Sequence, residues 1–593
     1  MKAAPPDPAV TRWCADAICG AFTAYHRHFR QITARAPERF ASRDWAGHQR
    51  DALERLETVT HVVDQVVLVL RAQLGPPVRD KALWMRMKVL YSGLVATLPE
   101  VELAETFFNS VTRRIFATVG VDPNIEFVAP LPEPVPEGDP VFSTWDRGGS
   151  TEDLVARILR DFPLGAPYRD PLADARLAAD RIDRHFQALG DGEPVESVDL
   201  VRSVFYRGKG AYLVGRVRRG GEIFPIIFAF LHPEGGIHLD AVLLTDREAR
   251  IAFSFTRSYF HVEVERPRGL IAFLASILPT KRLSELYISI GYNKHGKTEL
   301  YREILATLAK PGARFERAAG DRGMVMLVFT LSPLDMVFKV IRDRFAPPKS
   351  TTRDEVKQKY GLVFRQDRAG RLVDAQEFEH LAFDAARFDP ALLSELLAEA
   401  AEVVHLEGGQ VIIEHLFVQR RVTPLNLYIR DVDFSAAREA VLDYGQCIKD
   451  LAATNTFPGD LLLKNFGVTR SGRVIFYDYD ELTLVTDCCF RDFPAARDEM
   501  DEMRSEPWFF VGERDIFPEE FRRFLGFPPE LDAAFIDAHG DLLAAAYWRE
   551  IQERLRQGEI VDIFPYEQGI RLHRAAHPVH PPPLAEAAQV PGA

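Results

Sequence analysis

Between Ala318 and Asp480 four short patterns follow one another in an order that few folds can accommodate. The run Ala318, Ala319, Gly320, Asp321, Arg322, Gly323, Met324 lies between two strand-like stretches, and its glycines let a backbone come close to phosphate oxygens. Met336 to Ile341 (MVFKVI) reads as a strand with Lys339 on the face of Val337 and Ile341. A lysine buried on that face needs an anionic partner, whereas on an edge strand its ammonium would reach water. Pro458 to Asn465 (PGDLLLKN) carries Asp460, Lys464 and Asn465, and Val474 to Asp480 (VIFYDYD) is an apolar strand that ends in two carboxylates, Asp478 and Asp480. Each pattern alone is weak. Their order, with 478 − 465 = 13 residues from Asn465 to Asp478, is far more restrictive.

That series is the set of parts used for protein-kinase phosphoryl transfer, and the chemistry explains the residue types. A phosphoryl group in flight spreads negative charge over its oxygens. Lys339 can hold the α- and β-phosphates of ATP, and Asn465 with Asp478 offers the oxygen ligands that Mg2+ prefers. Asp460 stands where a carboxylate accepts or orients the proton of the attacking hydroxyl. Lys464 could neutralise the γ-phosphate. Asp480 shares a face with Asp478 if the strand runs through both and rotates away if a turn intervenes. Val411 to Val418 reads as a strand entering an adenine-gripping hinge. Ser435 to Asn455 reads as a helix with Ala437, Val441, Tyr444, Ile448 and Leu451 on one face. The partner for Lys339 should be a helix glutamate, and Glu355, in Arg353 to Tyr360, is the nearest. His-Arg-Asp, Asp-Phe-Gly and Ala-Pro-Glu are all absent.

A second motif competes. Gly291 to Thr298 (GYNKHGKT) fits the P-loop pattern, with a strand expected over Leu286 to Ile290 and a helix from Thr298 to Leu308. It would make the chain an NTPase or small-molecule kinase, with Lys297 on the phosphates and Thr298 on magnesium. The stretch that follows Pro311 lacks the βαβ succession such a loop opens.

The rest of the chain sets the frame. At 593 residues it exceeds one hydrophobic core. Leu53, Leu56, Val59, Val63, Val66, Val67 and Leu70 recur at helical spacing, and Lys81 to Val119 is similarly helix-like. Ala129 to Pro140 reads as an extended linker. From about 200 to 265, β-branched and aromatic runs punctuated by Gly220-Gly221 and Gly235-Gly236 predict a small antiparallel sheet. A break at Pro311-Gly312 divides residues 1–310 from 311–574, and 575–593 reads as a disordered tail. The charge, 73 − 86 = −13, argues against a general nucleic-acid binder. Five cysteines without a C-x-x-C exclude a zinc ribbon, and Cys488-Cys489 are expected to be core thiols. No signal-like apolar region opens the chain, and Gly269 to Leu278 is too short to span a bilayer, so a cytoplasmic protein with no membrane partner is expected. Trp508 to Pro518 mixes aromatics with charges, as docking loops do and as core segments also can.

Several stretches are more specific. Tyr259 to Gly269 (YFHVEVERPRG), Tyr287 to Arg302 (YISIGYNKHGKTELYR), Arg322 to Thr330 (RGMVMLVFT), Pro458 to Phe466 (PGDLLLKNF) and Phe476 to Glu481 (FYDYDE) resemble the bacterial isocitrate dehydrogenase kinase/phosphatase family, from the N-terminal helices to about residue 574. The resemblance implies an α+β chain: a mainly helical regulatory domain with a small antiparallel sheet, then a bilobal kinase-like domain. It implies one nucleotide site for ATP (and ADP) with Mg2+, AMP as an allosteric effector, and isocitrate dehydrogenase as the protein substrate, phosphorylated and dephosphorylated on a serine. That reaction divides flux between the tricarboxylic acid cycle and the glyoxylate bypass. A homodimer stays possible. Carried over residue by residue, Ala318 to Met324 and Lys339 bind nucleotide, Asp374 in Gly370 to Phe378 is an active-site residue, and Asp460, Lys464, Asn465, Asp478 and Asp480 are catalytic and metal positions. The P-loop-like run recurs in the family, where ATP belongs to the kinase-like lobes.

Overall fold

The structure, a computed structural model, describes residues 8–573 apart from 130–139, 191, 256–258, 321, 347–348, 350, 367, 495–507 and 562. Most of the expected linker Ala129–Pro140, all of the expected tail, and Asp321 lie outside the described residues.

The first third is helical for the reason its periodicity suggests. Helices α1 (Pro8–Thr33), α2 (Ala36–Ser42), α3 (Trp45–Leu74), α4 (Lys81–Val95) and α5 (Val101–Phe116) follow in turn. The stripe Val59, Val63, Val66, Val67 and Leu70 of α3 is buried in one core with Phe22 and Phe29 of α1 and Phe107 and Phe108 of α5. Asp44 and Asp80 cap α3 and α4 by accepting hydrogen bonds from the backbone N–H groups of Gly47 and Ala82.

A sheet follows, made of β1 (Phe142–Asp146), β2 (Ser197–Val201), β3 (Phe205–Arg207), β4 (Gly210–Arg219), β5 (Glu222–Leu231) and β6 (His238–Leu243). It is antiparallel in the order β1-β2-β4-β5-β6, with β3 on β4. The two Gly-Gly pairs turn β4 into β5 and β5 into β6, as their spacing predicts. Alternation along β4 shows how the sheet is buried. Leu213 and Val217 face helices α6 (Thr151–Asp161) and α7 (Pro171–Gln187), while Tyr212 and Val214 face the helical core. Four helices complete this part: α8 (Asp246–Ala252), α9 (Pro267–Ile277), α10 (Leu283–Ser289) and α11 (Asn293–Leu308).

The remainder is bilobal and kinase-like. Strands β7 (Arg314–Arg317), β8 (Met326–Ser332), β9 (Leu334–Ile341), β10 (Ala375–Asp384), β11 (Val404–Glu407) and β12 (Gln410–Arg420) form an antiparallel sheet ordered β10-β12-β9-β8-β7, with β11 on β12. Helix α12 (Arg353–Gln366) separates β9 from β10, and α13 (Pro390–Glu399) follows β10. Residues 421–424, including the short β13 (Thr423–Pro424), lead into a helical lobe with α14 (Leu425–Asp431) and α15 (Phe434–Ala453). Ala437, Val441, Tyr444, Ile448 and Leu451 of α15 are buried together, the face its spacing predicts. Strands β14 (Phe466–Val468) and β15 (Val474–Phe476) pair at the mouth of this lobe. Among the described residues, no helix is long and apolar enough to cross a membrane. Cys488 is buried, but Cys489 is exposed, so only one of the pair is a core thiol. Cys489 opens a two-residue strand at the surface, where it pairs with Asp515.

Candidate active site

A cleft of about 1090 Å³ lies between the two lobes. Ala318, Ala319, Gly320, Arg322, Gly323, Met324, Lys339, Asp460, Lys464, Asn465, Asp478 and Asp480 all line it. Spread over residues 318–480, they meet because the sheet brings β7, β8 and β9 over the loops after α15 and β15. The glycine loop is the β7–β8 turn. Gly320 has φ +119° and open space around its Cα, so the turn suits glycine and leaves room for a ligand. Arg322 is engaged elsewhere, in ion pairs with Glu395 at 2.8 Å and Glu399 on α13.

Lys339 is 4% exposed, which decides between a buried cation and a snorkelling one. Its Nζ donates to the Tyr477 carbonyl at 2.8 Å. Burial pulls its pKa down to about 8, against the opposing pull of Asp478 and Asp480. The anionic partner is therefore the carboxylate pair. Glu355 is not that partner: it sits in the first turn of α12, where its side chain accepts from the Thr352 N–H at 2.7 Å and from the Thr351 hydroxyl. A first-turn acid favours capping over reaching the sheet.

Strand β15 stops at Phe476, yet Asp478 and Asp480 still face each other, and their side chains are hydrogen-bonded. Tyr479, fully buried, points the other way and donates to the Val373 carbonyl at 2.6 Å. Desolvation first, then the neighbouring Asp480, pushes the Asp478 pKa well up, while Lys339 opposes the rise. Asp480 also pairs with Lys349 at 3.0 Å, and Lys349 with Glu481.

The loop that carries Asp460 is tied down from three sides. Phe457 and Thr483 exchange backbone hydrogen bonds at 2.8 and 2.9 Å, and the Tyr444 hydroxyl of α15 donates to the Leu461 carbonyl at 2.6 Å. Gly459 has φ +81°, and a Cβ there would lie 2.4 Å from the Glu481 carbonyl oxygen, so only glycine lets this loop approach the carboxylate loop. Asp460 accepts from the Leu462 N–H at 2.9 Å and is hydrogen-bonded to Asn465. Its pKa is raised, chiefly by burial, which suits a proton acceptor. Asn465 is buried, and its carbonyl accepts from the Tyr477 N–H at 3.1 Å, while Lys464 is exposed at the cleft.

Asp374 stands apart. It precedes β10 and accepts from Gln376 at 2.6 Å, and it is not among the residues that line the cleft. The segment before it nevertheless backs the carboxylate loop: Phe476 and Val373 are joined by a backbone hydrogen bond of 3.1 Å.

The P-loop expectation fails on its first element. Leu286 to Ile290 is not a strand, because Leu283–Ser289 is helix α10, and α11 already begins at Asn293. Gly296 serves helix packing: a Cβ on it would lie 2.7 Å from the Ser284 carbonyl oxygen and 2.4 Å from Ile288 Cγ1. Lys297 Nζ lies 4.8 Å from the centroid of Phe378 on β10, and burial lowers its pKa to about 7. No strand-to-helix cradle for phosphate exists here.

Two family profiles cover nearly the whole chain. Residues 15–312 match the isocitrate dehydrogenase kinase/phosphatase (AceK) regulatory domain, and 313–568 match the kinase domain of the same family. The chain belongs to the isocitrate dehydrogenase kinase/phosphatase family. A relative of that description from Anaeromyxobacter sp. (strain Fw109-5) is 57% identical, covering 94% of this chain and 97% of its own. One from Xanthomonas euvesicatoria pv. vesicatoria (strain 85-10) is 43% identical, covering 94% and 97%. The solved ROP18 kinase domain in complex with AMP-PNP and sucrose covers 43% of this chain and 89% of its own at 11% identity, with a TM-score of 0.22, too low to bear on the fold.

Sequence reasoning missed Lys349 and Tyr360. Lys349 follows a Pro-Pro pair with no recognisable signal, and Tyr360 sits in phase with Val356 and Val363, an ordinary core stripe.

Proposed function

We propose that this chain is a bifunctional enzyme that phosphorylates and dephosphorylates a serine of isocitrate dehydrogenase at this one cleft, and so controls flux between the tricarboxylic acid cycle and the glyoxylate bypass. Residues 1–310 regulate and 311–574 catalyse. AMP is the allosteric effector, and the enzyme works in the cytoplasm. The observation that carries this reading is the meeting of Lys339, Asp460, Asn465, Asp478 and Asp480 in one interlobe cleft of a family member.

ATP lies under the β7–β8 turn, with Lys339 holding its α- and β-phosphates and residues 419–424 along the adenine. The donor set of Asn465 and the desolvated carboxylate of Asp478 fits Mg2+, a hard cation that prefers oxygen ligands. Magnesium supplies charge neutralisation for the phosphates. In phosphorylation Asp460 accepts or orients the serine hydroxyl proton and Lys464 screens the γ-phosphate. In dephosphorylation a water takes the place of the serine hydroxyl, and Asp480 orients it. Asp374 supports the loop of Asp478 from behind. Incubation with purified isocitrate dehydrogenase and labelled ATP should place label on a serine, and the same enzyme should release it from the phosphorylated substrate. No transfer in either direction would sink the reading.

Docking of so large a substrate calls for a surface outside the cleft. In Trp508 to Pro518 the rings of Phe509 and Phe517 pack on each other and on Phe493, while Phe510 is 83% exposed. Deletion of Val511 to Asp515 should raise the KM for isocitrate dehydrogenase about tenfold or more while sparing slow ATP hydrolysis. Equal loss of both would mark the segment as core.

A further inference from the structure

Helix α12 packs on the face of the sheet that carries Lys339, and what it presents there is a tyrosine. Phe417 lies directly opposite Lys339 in the β9–β12 register, so both side chains leave the sheet on one face. Tyr360 stacks on Phe417 with ring centroids 3.9 Å apart and meets Tyr479 edge-on at 5.1 Å. Tyr479 is the residue between Asp478 and Asp480. Tyr360 is 1% exposed, and its hydroxyl has no hydrogen-bond partner. Burial, and behind it the charges of Asp478 and Asp480, hold that hydroxyl's pKa well above its usual value, so it is a neutral donor within electrostatic reach of both carboxylates.

A buried hydroxyl left without a partner destabilises the fold, and phenylalanine would fill the same space without that cost. The hydroxyl therefore needs a reason outside packing. The acids of α12 cannot take its place: Asp354 and Glu355 lie in the first turn, and Glu355 caps the helix. Asp478 and Asp480 bond to each other here. With Asp478 turned toward a cation, that mutual bond is lost: Asp480 keeps Lys349 at 3.0 Å, and the outward oxygen of Asp478 lacks a donor.

We infer that Tyr360 is a positioning residue whose hydroxyl donates to the Asp478–Asp480 pair in its metal-bound arrangement. It ties α12 to the metal-binding loop with a neutral donor, where protein kinases join this helix to the strand lysine through a glutamate. The inference rests on the reading of Asp478 as a magnesium ligand.

The test uses the full chain with Tyr360→Phe and Tyr360→Leu, and three readouts: melting temperature without ligand, ADP affinity with and without Mg2+ by calorimetry, and initial rates in both directions. Tyr360→Phe should melt at or above the native temperature and bind ADP normally without metal. The tightening of ADP binding by Mg2+ should weaken about tenfold, and kcat should fall about 10- to 100-fold in both directions. Tyr360→Leu should also melt lower, through loss of the ring. A Tyr360→Phe protein with native Mg2+ dependence and rates would overturn the inference, leaving the ring alone to matter. So would one whose melting temperature and rates fall together. If native protein turned over no isocitrate dehydrogenase, the functional reading would fail, and the ADP comparison would still decide the role of Tyr360.

Discussion

Replacing Lys339 with methionine is expected to lower ATP turnover about 10²–10³-fold, while the same change at Lys297 leaves it within about threefold of native. Both lysines sit in sequences that could hold a nucleotide, and both have depressed pKa values, to about 8 and about 7. What separates them is what they face. Lys339 Nζ contacts the Tyr477 carbonyl beneath the cleft, with Asp478 and Asp480 in its field, so phosphate and metal chemistry is what its charge serves. Lys297 lies over the Phe378 ring, a contact between α11 and β10. Methionine keeps the length of either stem, and exchange of a buried charge for an apolar side chain is often neutral for stability. A rate loss at 339 would therefore report chemistry, and melting temperatures of the two variants would verify it. Loss of turnover at 297 with retention at 339 would return the nucleotide to Gly291–Thr298 and remove the kinase-like cleft from the mechanism.

The sequence made the cleft legible because kinase-type chemistry demands particular residues in a particular order, and because strands and helices follow simple periods. Lys339 announced itself as a cation on an apolar strand face. Tyr444 and its neighbours announced a helix by their 3.6-residue spacing, and that helix anchors the loop of Asp460. The failures have equally local causes. Leu286 to Ile290 is a short apolar run, which periodicity cannot assign to strand or helix, and it became the helix α10. Glu355 is the nearest helix glutamate along the chain, but nearness along a helix says nothing of which turn faces the sheet, and first-turn acids are drawn to the backbone N–H groups. Asp374 carries no signal beyond its resemblance, since its relation to Asp478 runs through the backbone pairing of Val373 with Phe476, a contact between positions 103 residues apart. Cys488 and Cys489 are neighbours in sequence, yet Cys488 ends a short helical turn and is buried, while Cys489 begins a surface strand and is exposed.

Asp480→Ala is expected to slow dephosphorylation about 10²–10⁴-fold while leaving phosphorylation within about tenfold of native, and Asp478→Ala to abolish both. Asp478 lies next to Lys339, in register with Asn465 through the Tyr477 N–H, and is the carboxylate that a metal shared by both reactions would use. Asp480 is two residues further on, after the strand has ended, yet it still faces the cleft because Tyr479 is buried on the opposite side. It is bound by Lys349 at 3.0 Å, an interaction that holds the carboxylate in one orientation. A serine hydroxyl attacking ATP already has Asp460 to take its proton. A water attacking phosphoserine has no covalent tether to orient it, so it gains most from a second carboxylate aimed at the reacting phosphorus. Loss of Asp480 should therefore weigh on the hydrolytic direction, and Lys349→Met, which frees Asp480 to swing, should show the same bias in weaker form. Initial rates measured separately on free and on phosphorylated isocitrate dehydrogenase, with magnesium saturating, decide the matter. Equal losses in the two directions for Asp480→Ala would make this carboxylate a structural partner of Lys349 and pass the water-orienting role to Asp460.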